Sequence, residues 1–391
     1  MISLLVIIYI TFIMLGLPNS LLGSAWPAMH EQFSVPLANA GIISLIISGG
    51  TIFSTMWCDV AVKRLGSRLL ILFSLMGIAT SLLGFFLANH FIWLCLWSIP
   101  LGFSLGFIDA TLNNVVATHY QARHMNWLHA FWGVGAFIGP LVMSFFLARG
   151  SWVAGYRFIF VVQIAFIAVF LVTFRWWKKI QGTAVEEKQG EIETFPKMQL
   201  FRLPGVKQSL LVFFCYCAIE ATMGLWAASY LVTVRGLADG TAALWVSLYF
   251  LGITVGRFAA GFLTMKLNRR GLIRLSIALI GAGIIVFLLP IPSSLLIVGL
   301  FLIGLGCAPI FPILIHETPD NFGAKYSQGI IGMQMSFAYI GTTLMPPLFG
   351  VLAEHTGHYV FPFFLAIFLI LMALMIRLLY KKVGRIKEIA L

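Results

Sequence analysis

Apolar residues run along this chain in long blocks separated by short polar breaks, with neither the alternation of a half-buried strand nor the one-sided stripe of a soluble helix. A helix needs about 20 apolar residues to cross a hydrocarbon layer. Twelve blocks reach that length, at 2–28, 37–62, 68–89, 91–118, 126–148, 157–177, 206–234, 240–265, 271–290, 294–316, 327–353 and 359–380. The expected fold is all-α and membrane-embedded, with these twelve blocks as predicted spans 1 to 12. One long polar stretch, Lys178 to Gly205, separates spans 6 and 7 and carries Glu186, Glu187, Lys188, Glu191, Glu193 and Lys197. It reads as a solvated linker. The predicted organisation is a six-span half over 1–177, a linker over 178–205 and a six-span half over 206–391. The first block starts almost at Met1 with no basic segment before it and stays apolar too long for a leader, so a membrane span is expected there.

The two halves echo each other. At one constant offset Gly66 falls on Gly271 and Arg64 on Arg269. At a nearly equal offset Gly135 falls on Gly341 and Pro140 on Pro346, and at a third Gly23 falls on Gly224 and Asn19 on Glu220. Spans 4 and 10 are both glycine-rich in the middle (Gly102, Gly106; Gly304, Gly306). Such a repeat across a central linker is what a duplicated two-half transporter carries.

Composition agrees with the bilayer as solvent: of 391 residues 60% are apolar and only 10% charged, with a mean hydropathy of +0.99. The net charge of +12 raises the possibility of a nucleic-acid partner, but its distribution excludes one. Basic residues cluster in alternate loops and at the C-terminus: Lys63, Arg64 and Arg68; Lys178 and Lys179; Lys266, Arg269, Arg270 and Arg274; Lys381, Lys382, Arg385 and Lys387. The opposite loops hold only Arg149, Arg157 and Arg235, and Arg257 lies within a span. This is the positive-inside asymmetry, which puts both termini in the cytoplasm. The five cysteines all sit in apolar runs, with no disulfide framework and no metal-ligand spacing. No phosphate-binding loop G-x-x-x-x-G-K-[ST] is present, so no ATP-driven step, no cofactor and no enzyme chemistry is expected.

Polar residues inside the spans are the candidate chemistry, because a charged side chain at bilayer depth costs about 3 kcal/mol even on lenient scales. Asp109 in span 4 shares one helical face with Gly102, Gly106 and Asn113. The glycines would let a neighbour come close, and the polar pair would line a transport path. Partial desolvation favours the neutral form of a carboxylate, so an acid in such a place can load and release a proton. Glu220, in the middle of span 7, is the other acid at mid-depth in a predicted span; it could bind hydroxyls, a cation or a second proton. Asn19, Asn113, Asn114, Asn126, His129 and Gln334 offer the donors and acceptors that suit a polyhydroxylated ligand. Arg257, in the inner half of span 8, is expected to pair with a carbonyl or acid of the second half's gate, and Pro140, Pro346 and Pro347 mark bends.

Twelve spans in two sixes, the basic glycine loop Asp59-Val-Ala-Val-Lys63-Arg64-Leu65-Gly66-Ser67-Arg68 with a weaker copy after span 8, and Gly133-Val-Gly135-Ala-Phe-Ile-Gly139-Pro140 in span 5 resemble the major facilitator superfamily across essentially the whole chain. The loop departs from the family form: Asp59 and Gly66 are seven residues apart, and Thr55 stands where a glycine is expected. That stretched loop, with Asp109-Ala-Thr-Leu-Asn113 and Asn126-Trp-Leu-His129, is similar to the fucose-permease branch. The resemblance implies a proton-coupled sugar symporter working by alternating access, with Asp109 as protonation site. That branch has a second acid in span 1, where this chain offers Asn19, Ser20 and Ser24. The resemblance also implies that Trp26, Trp132, Trp226 and Trp245 lie on cavity-lining helices, ready to stack on a solute. Asp59, Lys63, Arg64, Gly66 and Arg68 would lock the cytoplasmic side, and Gly139, Pro140 and Pro346 would sit where helices rock. Expected partners are a small-molecule solute, protons and membrane lipids, and a monomer is expected. The Gly-Pro motif of span 5 is shared with many antiporters, so drug–proton antiport is the competing expectation; a non-transporting sensor would need an appended soluble domain.

Overall fold

The computed structural model describes residues 2–177, 195–263 and 268–389. Most of the predicted linker (178–194) and part of the loop after span 8, including Lys266, lie outside the described residues. The described residues form twelve helices long and apolar enough to cross a membrane: spans 1 (Leu4–Phe33), 2 (Leu37–Leu65), 3 (Ser67–Leu87), 4 (Phe91–His119), 5 (Trp127–Leu147), 6 (Trp152–Arg175), 7 (Val206–Thr233), 8 (Asp239–Ala260), 9 (Arg269–Leu288), 10 (Ser293–Phe322), 11 (Ala324–Thr356) and 12 (His358–Gly384). The protein is an all-α, multi-pass membrane protein. Helices are the physical answer to such a sequence, since hydrocarbon offers backbone N–H and C=O groups no partner outside the segment.

Several predicted boundaries shift, and two of the shifts have a visible local cause. Span 6 begins five residues earlier than the hydropathy suggests, because Ser151 caps it by accepting from Ala154 N at 3.1 Å. Span 10 runs on past His316 to Phe322, through residues whose polarity ends the apolar block. Those polar side chains are matched in place: Tyr380 donates to Glu317 at 2.9 Å, and Arg269 pairs with Asp320. Glu317 is thus a further acid inside a span, buried, and span 7 does not hold the only companion to Asp109.

Spans 1 and 10 are not continuous helices. Span 1 breaks at Asn19–Ser20, just after Pro18, and span 10 breaks around Ala308–Pro309. Proline removes a backbone donor and crowds the carbonyl one turn back, which gives both breaks a local cause.

The packing repeats with a shift of six spans. Span 1 packs on 5 as 7 packs on 11; span 2 on 4 as 8 on 10; span 3 on 4 and 6 as 9 on 10 and 12. The contacts between halves follow the same symmetry, with 5 on 8 mirrored by 2 on 11, and 1 facing 7. Within the bilayer no hydrophobic gain draws helices together, so close backbone approach supplies the attraction. Gly102 and Gly106 do this for spans 2 and 4: a methyl on either would lie 3.0 Å from Cα of Ile47 or Thr51. Thr51 also donates to the carbonyl of Gly102 at 3.1 Å. Introducing Gly102→Leu should force these helices apart and lower stability by about 1–3 kcal/mol. Thermal unfolding followed by exposure of the buried native cysteines measures this, and an unchanged midpoint would mean the close approach does not matter.

Candidate functional site

Helices from both halves enclose one cavity of about 750 Å³. It is sealed at the end opposite the chain termini. There Gly23 meets the backbone of Gly224 and Leu225, with a methyl on it falling 2.9 Å from Leu225 Cα. A methyl on Gly41 would sit 2.7 Å from Pro347 Cα, and one on Gly240 2.9 Å from Ala148 N. All three contacts join spans 1–6 to spans 7–12. Toward the terminal end the lining reaches His316 and Arg269, and the Arg269 side chain is half exposed. Both ion pairs among the described residues lie within spans 7–12, so none crosses between the halves. The cavity is open toward the termini.

Two carboxylates line it and their partners differ. Asp109 accepts from Asn113 Nδ2 at 3.1 Å, while the same nitrogen donates to Asp109's own carbonyl at 2.9 Å. Asp109 has no cationic partner among the described residues. Glu220 instead faces Arg257, with Nη2 to Oε1 at 3.5 Å. Arg257 is thereby in the cavity wall, not in a gate confined to the second half. Its Nη1 donates to the carbonyl of His129 in span 5 at 3.0 Å, and its guanidinium lies 5.2 Å from the centre of the Trp132 ring. One arginine therefore ties spans 7 and 8 to span 5.

The other expected residues divide. Asn19, His129 and Trp132 line the cavity. Trp26 and Trp226 do not: both are fully buried between helices, donating to the carbonyls of Leu37 at 2.6 Å and Pro346 at 2.8 Å. An indole N–H in a dry interior has to find an acceptor, and here each finds backbone. Trp245 packs half-buried against the core outside the lining. Gln334 is fully buried, donating to Ser209 at 2.7 Å and Thr318 at 3.0 Å, and so links spans 7, 10 and 11 away from the cavity. Asn113 reaches the cavity only through Asp109, Asn114 is exposed outside it, and the side chain of Asn126 lies outside the described residues.

Of the residues expected to lock the terminal side, Asp59, Lys63 and Arg64 are exposed and make no ion pair among the described residues. Arg68 stacks on Phe174 at 4.0 Å in place of meeting the exterior. Gly66 turns the chain between spans 2 and 3 at φ 76°, a conformation that suits glycine. An unengaged lock is consistent with a cavity open at this end. Gly139 packs against Ser20 and the Leu17 carbonyl of span 1, next to Pro140. Tyr339, Thr342, Thr343, Ser44, Ser48 and Thr51 also line the cavity. Their signal was present: Ser44, Ser48, Thr51 and Thr55 recur at i, i+4, i+7 and i+11, a hydroxyl stripe on one face of an apolar block.

The Major Facilitator Superfamily profile matches residues 8–245 and 208–389. The chain belongs to this family of transporters, and it is not an enzyme. It is 24% identical over 358 residues to the glucose/mannose transporter GlcP of Bacillus subtilis (strain 168), covering 88% of this chain and 86% of that protein. Its fold superposes on a crystal structure of a D-xylose–proton symporter with a TM-score of 0.73 at 13% identity, covering 97% of each chain. The peptide transporter POT, crystallised with alafosfalin, gives a TM-score of 0.76 at 14% identity, covering 97% of this chain and 95% of that one.

If Glu220 and Arg257 act as a unit, removing one member strands the other in the cavity wall. Arg257→Gln should cost more stability than the double variant with Glu220→Gln, with a coupling energy of about 1 kcal/mol or more in a double-mutant cycle of thermal unfolding. Effects that simply add would break up the pair.

Proposed function

We propose that the protein is a secondary active transporter that moves a small, polar, sugar-like solute across the cytoplasmic membrane together with protons. Residues 1–177 and 206–391 act as the two halves that rock about the cavity, and both termini face the cytoplasm. The observation that carries this reading is the difference between the two cavity acids. Glu220 is compensated by Arg257, whereas Asp109 is held only by a neutral carboxamide. A carboxylate in the cavity wall without a cation is the group that gains most from taking up a proton. With Asp109 protonated and Glu220 matched, these groups are neutral together, which suits an uncharged solute bound through hydroxyls.

Support for a sugar comes from GlcP, named as a glucose/mannose transporter and matched along most of both chains. Antiport of lipophilic cations, the competing function, would draw on Trp132, Phe250 and Phe311 in the lining. It is the weaker reading, because Arg257 occupies the second acid that a cation would use.

Reconstituted into proteoliposomes, the wild type should accumulate sugar when a proton gradient is imposed. Asp109→Asn should abolish that accumulation and its dependence on pH, while leaving sugar exchange down its own gradient. Proton-driven accumulation that survives Asp109→Asn would remove Asp109 from the coupling.

A further inference from the structure

Many serines and threonines inside these helices share one pattern, from which the buried Thr222 and Ser229 of span 7 depart. Ser24, Thr51, Ser54, Thr55, Ser81 and Thr254 each donate to a carbonyl three or four residues back. In an apolar surround a hydroxyl without such a partner is costly, so this is its default. Ser44 and Ser48 line the cavity and make no such bond among the described residues. Asn19, exposed in the same lining, makes no side-chain hydrogen bond among them either. Thr343, also in the lining, is only 9% exposed, and its Oγ1 is buried without any partner.

Most of their positions share a second property. Three of them, Asn19, Ser44 and Thr343, lie three or four residues inside a contact that seals the cavity. Asn19 stands four residues before Gly23, which abuts Gly224 and Leu225. Ser44 stands three residues after Gly41, which abuts Pro347, and Thr343 stands four residues before that same Pro347. Ser48 follows Ser44 by one further turn. Two helices of the first half thus present uncommitted neutral polar groups just beneath the seal, and span 11 of the second half holds the buried, unpartnered hydroxyl of Thr343 in the same wall. The hydroxyl of Thr51, one step deeper on the same face, is already spent on the carbonyls of Ile47 and Gly102.

We propose that Asn19, Ser44, Ser48 and Thr343 form a hydroxyl-recognising subsite at the sealed end of the cavity, taking uncharged hydroxyl groups of a polyhydroxylated solute. The proposal deepens the sugar-transport function above and rests on it. None of the four side chains is charged, and each can both donate and accept, as can a sugar hydroxyl. The solute supplies the partners that these groups lack. A solute bound here bridges spans 1 and 2 of one half to span 11 of the other and holds the seal closed while its remaining atoms face Asp109. After its departure toward the open end, water entering from that end takes its place at the groups that face the cavity.

The full-length protein, purified in detergent, tests this with D-glucose, D-mannose and D-xylose as probes, binding being followed by tryptophan fluorescence. At least one sugar should bind the wild type. The Ser44→Ala, Ser48→Ala double variant should bind that sugar about tenfold more weakly, the sum of two modest hydrogen bonds. Thr343→Val should weaken it several-fold. A second readout does not depend on those variants folding: Ser48→Cys should react with a charged methanethiosulfonate, beyond the labelling of the native Cys217 in the same cavity, and bound sugar should slow that reaction. Wild-type affinity in the alanine and valine variants, or labelling at position 48 that sugar leaves unchanged, overturns the subsite and leaves the transport function standing. A wild type that binds none of the three sugars overturns both.

Discussion

Inside a hydrocarbon layer a backbone that leaves the helix must find water or protein for the N–H and C=O groups it frees. The organisation of this protein follows from where that condition is relaxed. Span 1 breaks at Asn19–Ser20 and span 10 around Ala308–Pro309, and both breaks border the cavity: Pro18 and Asn19 line it on one side, Phe311 and Pro312 on the other. Elsewhere the helices run on, and where spans 2 and 4 touch, glycines bring their backbones together. A continuous wall with two interrupted staves leaves polar side chains in a few chosen places. Asn19 of the proposed subsite stands at one of these breaks, whereas Asp109, Ser44, Ser48 and Thr343 reach the cavity from helices that run on.

Charge in the cavity is arranged by the same economy. Arg257 meets Glu220, a backbone carbonyl and the face of an indole at once. A guanidinium has five donors in a fixed fork, so one side chain on span 8 can meet groups on two other helices. At the terminal end Arg269 with Asp320 and Tyr380 with Glu317 are matched within the second half alone. If the halves rock as proposed, these pairings would let the second half move without stranding a charge.

Much of the fold was legible because hydropathy and glycine position are local properties. Twelve apolar blocks became twelve spans, and Gly102 and Gly106 lie against span 2 as their common face with Asp109 suggested. The end of span 10 was missed because partners distant in sequence change what its residues cost. Glu317 and Asp320 look like the end of a span until Tyr380 and Arg269 are beside them. The candidate site was legible in its acids and less so in its aromatics. A tryptophan in an apolar block reads alike whether it faces a cavity or another helix. Trp132 and Trp226 differ only in what the neighbouring span offers, an arginine for one and the carbonyl of Pro346 for the other. The partner of Arg257 in span 5 could not be read at all, because it is main chain.

That last point reaches beyond the static picture. The first-half end of the Arg257 contact is the carbonyl oxygen of His129, an atom that every amino acid carries. Replacing the imidazole leaves the acceptor in place, so a survey of span 5 by side-chain replacement would pass over this polar connection between the halves. The connection is visible from the arginine alone. Its first-half end is set by the path of the helix and not by the letter at position 129, so drift at that position leaves the connection intact.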